Sequence, residues 1–271
     1  MNYRDLFSLK GRTAVVTGGS GVLGTCCCHG LAAHGASVAV VDINESSASD
    51  LALSLRDEYG IRTIGIGCDV SDPMAVQDMV GQVEEALGDI DVLHNNAASK
   101  SANLKAFFAP TEEYDIEEWR QVMSVNLDGM FLVAQAVGRG MISRQRGTII
   151  QTASIYGVAG PDNRIYEGSH YLGGAINTPA VYAASKGGVV ALTRYLATTW
   201  AGHGVRVNTL TPGGVASGQN ETFSSKYAAR VPLGRMGDAH EVVGALVYLA
   251  SDASSYVTGQ NLVVDGGLTA W

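Results

Sequence analysis

The stretch that most constrains the fold is an apolar segment followed at once by a glycine turn and a helix-forming segment. Residues 13–17, TAVVT, are typical of a buried parallel strand. Gly19, Gly21 and Gly24 follow in G-x-G-x-x-G spacing, and a helix is predicted from the turn to Ala33. Such glycines allow a tight turn and a close approach to a pyrophosphate, which binds the free N–H groups of the helix. The stretch predicts a dinucleotide-binding unit, because its glycines lie between a strand and a helix.

The same alternation of strand and helix continues along the chain. Strands are predicted at 37–41, 62–67, 91–95, 147–154, 205–210 and 256–267, with helices at about 46–59 and 75–87 between the early ones. Short apolar strands joined through helices by right-handed crossovers form a parallel sheet covered on both faces. The chain has 271 residues, 46% of them hydrophobic, so it can bury a large core. We expect one α/β domain that binds its ligands beyond the carboxyl ends of the strands.

The second predicted strand ends at Asp42, 18 residues after Gly24. A carboxylate there can accept from both ribose hydroxyls of adenosine and would repel a 2′-phosphate, which favours NAD over NADP. The glycine turn holds no Lys or Arg to welcome the extra phosphate. The alternative is a solvated aspartate at a strand end.

Tyr182 and Lys186 are spaced as on one face of a helix. At i and i+4 a phenol and an ammonium converge, and a nearby cation lowers the pKa of a phenol. The pair predicts an acid-base centre in which Lys186 lowers the pKa of Tyr182. By itself the spacing is common, so the prediction depends on a cofactor and a reacting centre beside it.

Charge and cysteine content limit the partners and the location. The formal net charge of −8, with a pI near 5.2 and no basic cluster, argues against nucleic acid and anionic membranes as partners. No signal peptide or membrane span is expected from the sequence, and we expect a cytoplasmic protein. Cys26, Cys27 and Cys28 are consecutive and cannot staple a fold, and no zinc-type spacing surrounds them. No metal is expected.

Beyond these stretches the chain resembles the short-chain dehydrogenase/reductase family. The resemblance covers nearly the whole length and is carried by Thr17, Gly18, Asn95, Asn96, Ala97, Asn126, Ser154, Tyr182, Lys186, Pro212, Gly213 and residues 264–267. It implies a single Rossmann-type, doubly wound domain over residues 1–271, with a seven-stranded parallel sheet flanked by helices. It also implies a nicotinamide cofactor, which Asp42 indicates to be NAD, reversible hydride transfer between a secondary alcohol and a ketone, and a homotetramer or homodimer.

The resemblance assigns four catalytic residues. Tyr182 would be the proton-transferring group, Lys186 its electrostatic partner and a ligand of the nicotinamide ribose, and Ser154 the residue that holds the substrate oxygen. Asn126 would hold a water that relays protons to Lys186. The alternative for Asn126 is a buried side chain bonded to the neighbouring backbone.

The resemblance also implies a set of cofactor-binding residues. They are Gly18, Ser20, Gly21, Val22, Leu23, Asp42, Ile43, Asp69, Val70, Asn95, Ala97, Tyr182, Lys186, Pro212, Gly213, Val215 and Ser217. Two positions depart from the family pattern, because Val22 replaces the middle glycine of the turn and Ala98 replaces the glycine of N-N-A-G. Asp69 contacts the adenine or caps the next helix, and Asn95 adjoins the ribose or is purely structural.

Two further segments point to the substrate. A separation of 28 residues between Ser154 and Tyr182 indicates an insertion at about 158–180, which forms either a substrate wall or a subunit contact. Tyr166 in this insertion has His170 four residues later and no lysine, so we reject it as the catalytic tyrosine. Residues 217–231 resemble a lid over the substrate.

The polar residues of the insertion and the lid favour a sugar, polyol or other polyhydroxylated small-molecule substrate. A hydrophobic ketone of the steroid or 3-oxoacyl type would require a more apolar wall. A catalytically idle NAD-binding regulator is the alternative outside the enzymes.

Overall fold

A parallel sheet of seven strands forms the centre of the computed structural model, which describes residues 3–101, 103–171 and 174–271. The strands are β1 Thr13–Thr17, β2 Ser37–Asp42, β3 Thr63–Gly67, β4 Ile90–Asn95, β5 Gly147–Thr152, β8 Val205–Pro212 and β9 Asn261–Val264. Their order across the sheet is β3-β2-β1-β4-β5-β8-β9. The chain therefore winds outward in both directions from β1 and β4, which confirms the Rossmann-type, doubly wound fold.

Helices cover both faces of the sheet. Their bounds are α1 Val22–Ala33, α2 Glu45–Tyr59, α3 Pro73–Leu87, α4 Leu104–Phe107, α5 Ile116–Met123, α6 Met130–Arg144, α7 Ala180–Trp200, α8 Glu221–Ala228 and α9 Val243–Ala250. Alternate strand residues feed two cores: Val15 packs with α3, α6 and α7, whereas Val16 packs with α1, α2 and α9. In the described ranges no helix combines the length and the apolar character needed to cross a membrane.

The later strands are shorter than predicted. β5 ends at Thr152, two residues before Ser154, and β9 spans four residues where the sequence predicted 256–267. Gly259, Gly266 and Gly267 have φ values of 71°, 65° and 92°, which lie outside the extended region. Glycine readily adopts this backbone conformation, so the same residues that allow the turns also end the strand.

Asn126 lies in a long helix that has an internal change of winding. Ser124–Gly129 is π-helical and joins α5 to α6 without a break. Single π turns inside α-helices occur frequently at functional sites, and this one contains Asn126.

The predicted insertion is a compact excursion between β5 and α7. It holds a 3-10 turn at Asn163–Tyr166 and a two-stranded antiparallel hairpin, β6 His170–Tyr171 and β7 Gly174–Ala175. Residues 172 and 173 of the predicted insertion lie outside the described residues. The segment ends at α7, whose first turn carries Tyr182.

The consecutive cysteines lie on α1, as small residues packed against the sheet. Cys27 and Cys28 are fully buried, and burial raises the pKa of the Cys27 thiol to about 12. All four cysteines are free thiols. At this pKa the thiol stays protonated, which makes it a poor metal ligand.

Candidate active site

The glycine turn between β1 and α1 is packed too closely for side chains at two of its positions. A Cβ on Gly24 would lie 2.0 Å from the Gly18 carbonyl oxygen, and one on Gly19 would lie 2.8 Å from Val40 Cγ1. Gly21 caps α1 without a side-chain hydrogen bond, so the first N–H groups of the helix, at Val22 and Leu23, keep no intrahelical acceptor. These groups fit a pyrophosphate.

The departure at Val22 is accommodated by its position. Val22 is the first residue of α1, and its side chain is 57% exposed. A side chain that points to solvent does not disturb the turn, so the replacement of the family glycine changes the surface beside the helix end and leaves the helix end itself intact.

Asp42 lies at the end of β2 and organises the backbone around it. Its carboxylate accepts from the Ser20 backbone N–H at 3.1 Å and from the Asn44 N–H at 3.2 Å. Ile43, the next residue, is 75% exposed. The carboxylate is partly exposed and fixed beside the glycine turn, where an adenosine ribose would lie.

Thr17 at the end of β1 connects this strand to the end of β4, a role that the sequence did not indicate. Its hydroxyl accepts from the backbone N–H groups of Asn96 and Ala97, at 2.9 and 3.1 Å, and donates to Asn95 Oδ1 at 3.2 Å. Asn95 in turn donates to the Met130 carbonyl at 2.8 Å and is 1% exposed. The side chain of Asn95 thus joins β1 to α6, as the structural interpretation predicts, and its place beside the ribose stays a prediction.

Asp69 follows β3 and forms a turn of its own. One of its oxygens accepts from the backbone N–H and the hydroxyl of Ser71, at 2.9 and 2.7 Å. The cap of α3 is Asp72, so the helix-cap alternative for Asp69 is wrong. Val70 is buried, and its side chain lies close to Gly129 in the π-helical segment. Asp69 stays exposed at the carboxyl edge of the sheet.

The four proposed catalytic residues come from three elements that meet at the end of β5. Ser154 follows β5 and accepts from the Tyr156 N–H at 3.3 Å, while Tyr182 and Lys186 lie on α7. Lys186 is 2% exposed and donates from Nζ to the Thr152 carbonyl at 2.9 Å. The side chain of Lys186 thus reaches to the strand end from which Ser154 projects.

The electrostatics of the pair differ from the sequence expectation. Burial raises the pKa of Tyr182, and a hydrogen bond with Ser154 acts in the opposite direction. Burial lowers the pKa of Lys186 to about 8. The prediction that Lys186 brings the pKa of the phenol below its ordinary value is wrong for this structure, because removal from water dominates at both groups.

Asn126 is fully buried within the π-helical turn. Its Oδ1 accepts from the backbone N–H of Ser99 at 2.8 Å. Its Nδ2 is buried and has no partner in the part of the chain that the structure describes. A buried amide donor needs an acceptor, and a bound water is the usual solution. The predicted backbone contact is present, and the free donor fits the predicted water.

The turn after β8 lies opposite Tyr182. Pro212 ends the strand, and a Cβ on Gly213 would lie 2.8 Å from Asp265 Cα, so this turn also permits only glycine. The Gly214 N–H donates to the phenol oxygen of Tyr227 at 2.5 Å. Val215 bridges to Gly237, and the Ser217 N–H is bonded to Gln219 at 2.7 Å. The lid helix α8 is thereby attached to the turn.

A cavity of about 580 Å³ opens beside Ser154 and Tyr182. Its lining comes from the loop after β4, the insertion, the turn after β8 and the lid, all at the carboxyl edge of the sheet. The polar or charged side chains are Lys100, Ser154, Tyr156, Tyr166, His170, Asn177, Thr178, Tyr182, Ser217, Gln219, Asn220 and Tyr227. The apolar ones are Phe107, Phe108, Ile155, Ile176, Phe223 and Met236.

The insertion and the lid pack against each other. Tyr166 stacks on Phe223 with ring centroids 5.4 Å apart, and its hydroxyl lies 2.5 Å from Thr178 Oγ1. The Ser169 hydroxyl donates to Asn220 at 3.2 Å. Tyr166 therefore has a structural partner in each segment, which agrees with its rejection as the catalytic tyrosine.

A second cavity, of about 650 Å³, lies at the opposite edge of the sheet, away from Ser154 and Tyr182. Arg12, Arg146 and Arg206 line it. Arg12 and Arg146 pair with Asp252 and Asp91, and Arg206 donates to backbone carbonyls. Because these charges are already compensated, this cavity offers no reactive group.

Two further side chains connect elements near the site. His94 in β4 is buried beside Thr152, with 2.9 Å between Nε2 and Oγ1, and burial lowers its pKa to about 3. Asn177 donates to the Phe108 carbonyl at 3.0 Å and joins the insertion to the loop after β4. Neither belongs to a local motif, because their partners are distant in sequence.

Comparison with known proteins gives consistent relatives over the whole chain. A family model described as enoyl-(acyl carrier protein) reductase matches residues 20–269. A gluconate 5-dehydrogenase of Gluconobacter oxydans is 39% identical, over 99% of each chain. A galactitol 2-dehydrogenase (L-tagatose-forming) of Cereibacter sphaeroides is 36% identical, over 100% of each. A solved gluconate 5-dehydrogenase of Burkholderia cenocepacia, in complex with NADP and tartrate, is 36% identical over 100% of each chain, with a TM-score of 0.88.

Proposed function

Because this chain belongs to the short-chain dehydrogenase/reductase family and acts on CH–OH groups, we propose that its substrate is a sugar, polyol or other polyhydroxylated molecule. The reaction is the reversible interconversion of a secondary alcohol and a ketone. The observation that carries the proposal is the cavity beside Tyr182, whose walls present hydroxyl and amide groups from the insertion and the lid. The relatives named gluconate, galactitol and tagatose enzymes support the same substrate class.

We propose NAD as the cofactor, held by the residues that the family resemblance implies. Asp42 carries this choice, since a fixed carboxylate at the ribose position disfavours a 2′-phosphate. The Burkholderia relative is in complex with NADP, so the choice of NAD for this chain rests on Asp42 and is tested with both cofactors. When bound, the nicotinamide accepts or supplies the hydride.

The residues of the chain itself handle the proton and the substrate oxygen. Ser154 donates to that oxygen and stabilises charge on it, while Tyr182 exchanges the proton with it. A raised pKa suits Tyr182 as the acid in ketone reduction. In alcohol oxidation the phenol must first lose its proton, and the hydrogen bond with Ser154, which opposes the effect of burial by lowering the pKa of Tyr182, favours this step. Lys186 serves as a ligand of the nicotinamide ribose. Asn126 holds the water that connects Lys186 to solvent.

The test is turnover by the purified protein. The protein is incubated with NAD⁺ or NADP⁺ and a panel of sugars, alditols, aldonates and hydrophobic secondary alcohols, and reduced nicotinamide is followed by absorbance. We expect turnover of polyhydroxylated substrates with NAD⁺ preferred. Uniformly better turnover of the hydrophobic alcohols would refute the substrate class, and cofactor binding without any turnover would indicate an idle protein.

The proposal includes a cytoplasmic homotetramer, or a homodimer, as the family resemblance implies. Phe131 on α6 and Tyr195 on α7 are 43% and 67% exposed, and these two helices would form the subunit contacts. Light scattering of the purified protein measures the assembly directly, and a monomer would contradict this part.

A further inference from the structure

The cavity beside Tyr182 has an uneven charge lining. Lys100 is the only lysine or arginine among its described lining residues, and no aspartate or glutamate is among them. His170 is the other lining group able to carry positive charge. Within the described ranges no carboxylate forms an ion pair with Lys100. In a chain of net charge −8, this cavity therefore presents an uncompensated cation.

The backbone that carries Lys100 is held in place on both sides. On one side the Ser99 N–H donates to Asn126 Oδ1 at 2.8 Å, which links the loop to a proposed catalytic residue. On the other side the buried Ser101 donates from its hydroxyl to the Asn103 carbonyl at 2.9 Å. The Lys100 side chain is exposed at the cavity, and within the described ranges its ammonium has no ion-pair partner.

The wall formed by the insertion is rich in hydrogen-bonding groups and holds no carboxylate among the described lining residues. Asn177 and Thr178 come from the insertion, and Asn177 also donates to the Phe108 carbonyl, which joins this wall to the loop that follows Lys100. A ligand that fits both walls carries a negative group at one end and hydroxyl groups along its length. A neutral alditol leaves the cation unused.

We propose that Lys100 is a specificity-determining residue that binds a carboxylate of the substrate, so that the preferred substrate class is a polyhydroxylated carboxylic acid of the aldonate type and its keto form. This inference rests on the proposed function and narrows its substrate. A charge-assisted contact of this kind is stronger than a neutral hydrogen bond and steers anions into the cavity. Lys100 takes no part in hydride or proton transfer.

The experiment compares matched substrate pairs that differ only at one terminal carbon. D-gluconate with D-glucitol and D-galactonate with galactitol are assayed with NAD⁺ in the wild type, Lys100→Gln and Lys100→Glu. Lys105→Gln is the control, because Lys105 is an exposed lysine on α4 that does not line the cavity. We expect the wild type to favour the aldonates in kcat/KM. Lys100→Gln should lower the aldonate-to-alditol ratio about tenfold and Lys100→Glu further, mainly through KM, with Lys105→Gln unchanged.

The outcomes distinguish a failure of the Lys100 inference from a failure of the proposed function. A ratio that follows the charge at residue 100, and an aldonate KM that rises with added salt, support the inference. Turnover of alditols as good as that of aldonates, with a ratio indifferent to Lys100→Glu, overturns the inference and leaves the proposed function standing. Turnover of neither series, when NAD⁺ binding is intact by fluorescence titration, overturns the proposed function itself.

Discussion

The two halves of the site are supported in different ways. The half that faces the proposed nucleotide lies on regular structure: β1 and β2 are buried and the glycine turn is wedged between β1 and α1. The half that surrounds the cavity lies on the insertion and the lid, which are held by contacts such as Tyr166 with Phe223 and Arg230 with Asp162. These contacts join the insertion to the lid. The first half is therefore part of the regular structure, whereas the second depends on contacts between loops and is joined to the turn after β8 by the bond between Gly214 and Tyr227.

This difference predicts where substitutions act. Changes at the nucleotide half should alter cofactor choice and leave substrate affinity intact, and changes at the cavity wall should do the reverse. Substitutions where the two halves meet should lower turnover and leave both cofactor affinity and substrate affinity unchanged.

The largest effect is expected at Tyr182, where the halves meet. Tyr182→Phe removes the proton-transferring group and should reduce kcat about 10³-fold or more, with little change in NAD⁺ affinity. Single-turnover kinetics and fluorescence titration of the cofactor measure the two quantities. Tyr166→Phe is the matched control, since this tyrosine lines the same cavity and bonds to Thr178. If the Tyr182→Phe enzyme keeps most of its activity, the assignment of Tyr182 as the proton-transferring group is wrong.

Replacement of Lys186 is expected to lower activity strongly and to raise the stability of the fold. Burial lowers the Lys186 pKa from 10.5 to about 8, so below pH 8 the folded state holds a buried charge that the unfolded chain keeps in water. Lys186→Met should reduce kcat about 100-fold and raise the free energy of unfolding at pH 7 by about 1–3 kcal/mol.

The pH dependence follows from the same shift. Between pH 8 and 10.5 the unfolded chain binds more protons than the folded protein, so the wild-type free energy of unfolding should rise with pH relative to Lys186→Met. Denaturant titrations at several pH values test the sign, with the exposed Lys105→Met as control. A variant less stable than the wild type at pH 7 would mean that the bond to Thr152 outweighs the burial of the charge.

A moderate effect confined to the nucleotide half is expected at Asp42. Asp42→Ser removes the carboxylate and should shift the ratio of kcat/KM for NAD⁺ over NADP⁺ about 10- to 100-fold towards NADP⁺, with substrate KM unchanged. Asp50→Ser on the exposed face of α2 is the control. An unaltered ratio would show that cofactor choice is made elsewhere.

The smallest effect is expected at the cavity wall. Asn177→Ala breaks the bond between the insertion and the Phe108 carbonyl and should raise the substrate KM about fivefold with cofactor KM unchanged. Asn163→Ala, an exposed asparagine of the same insertion that does not line the cavity, should leave both unchanged. A change in cofactor affinity in Asn177→Ala would break the separation between the two halves.

The sequence was sufficient where local rules govern the structure. Buried parallel strands such as β1 and β2 are short apolar runs, and the turn after β1 needs glycine, so this part was predicted nearly to the residue. The parallel sheet with helices on both faces follows from right-handed crossovers between alternating strands and helices. Asp42 is predicted as a cofactor residue because a carboxylate at this distance from the glycine turn can accept from the ribose hydroxyls.

Elsewhere the structure depends on partners that are remote in sequence. The antiparallel pairing of β6 with β7 has no local sequence signal, and the bond from Asn177 to the Phe108 carbonyl joins residues 69 positions apart. The electrostatics of Tyr182 and Lys186 could not be read from their spacing, because burial sets both shifts. Asn95 and Asp69 were left between two interpretations that only their neighbours could decide.

The π-helical turn at Ser124–Gly129 changes the directions in which side chains before and after it face. An α-helix advances about 100° per residue, so one wide turn rotates everything after it relative to everything before it. Upstream, Val122 of α5 packs with Phe107 and Val181, and downstream α6 packs on the sheet. Deleting a single residue from the wide turn would put one of these faces out of phase. The number of residues in this helix is therefore constrained by the two packed faces that it connects.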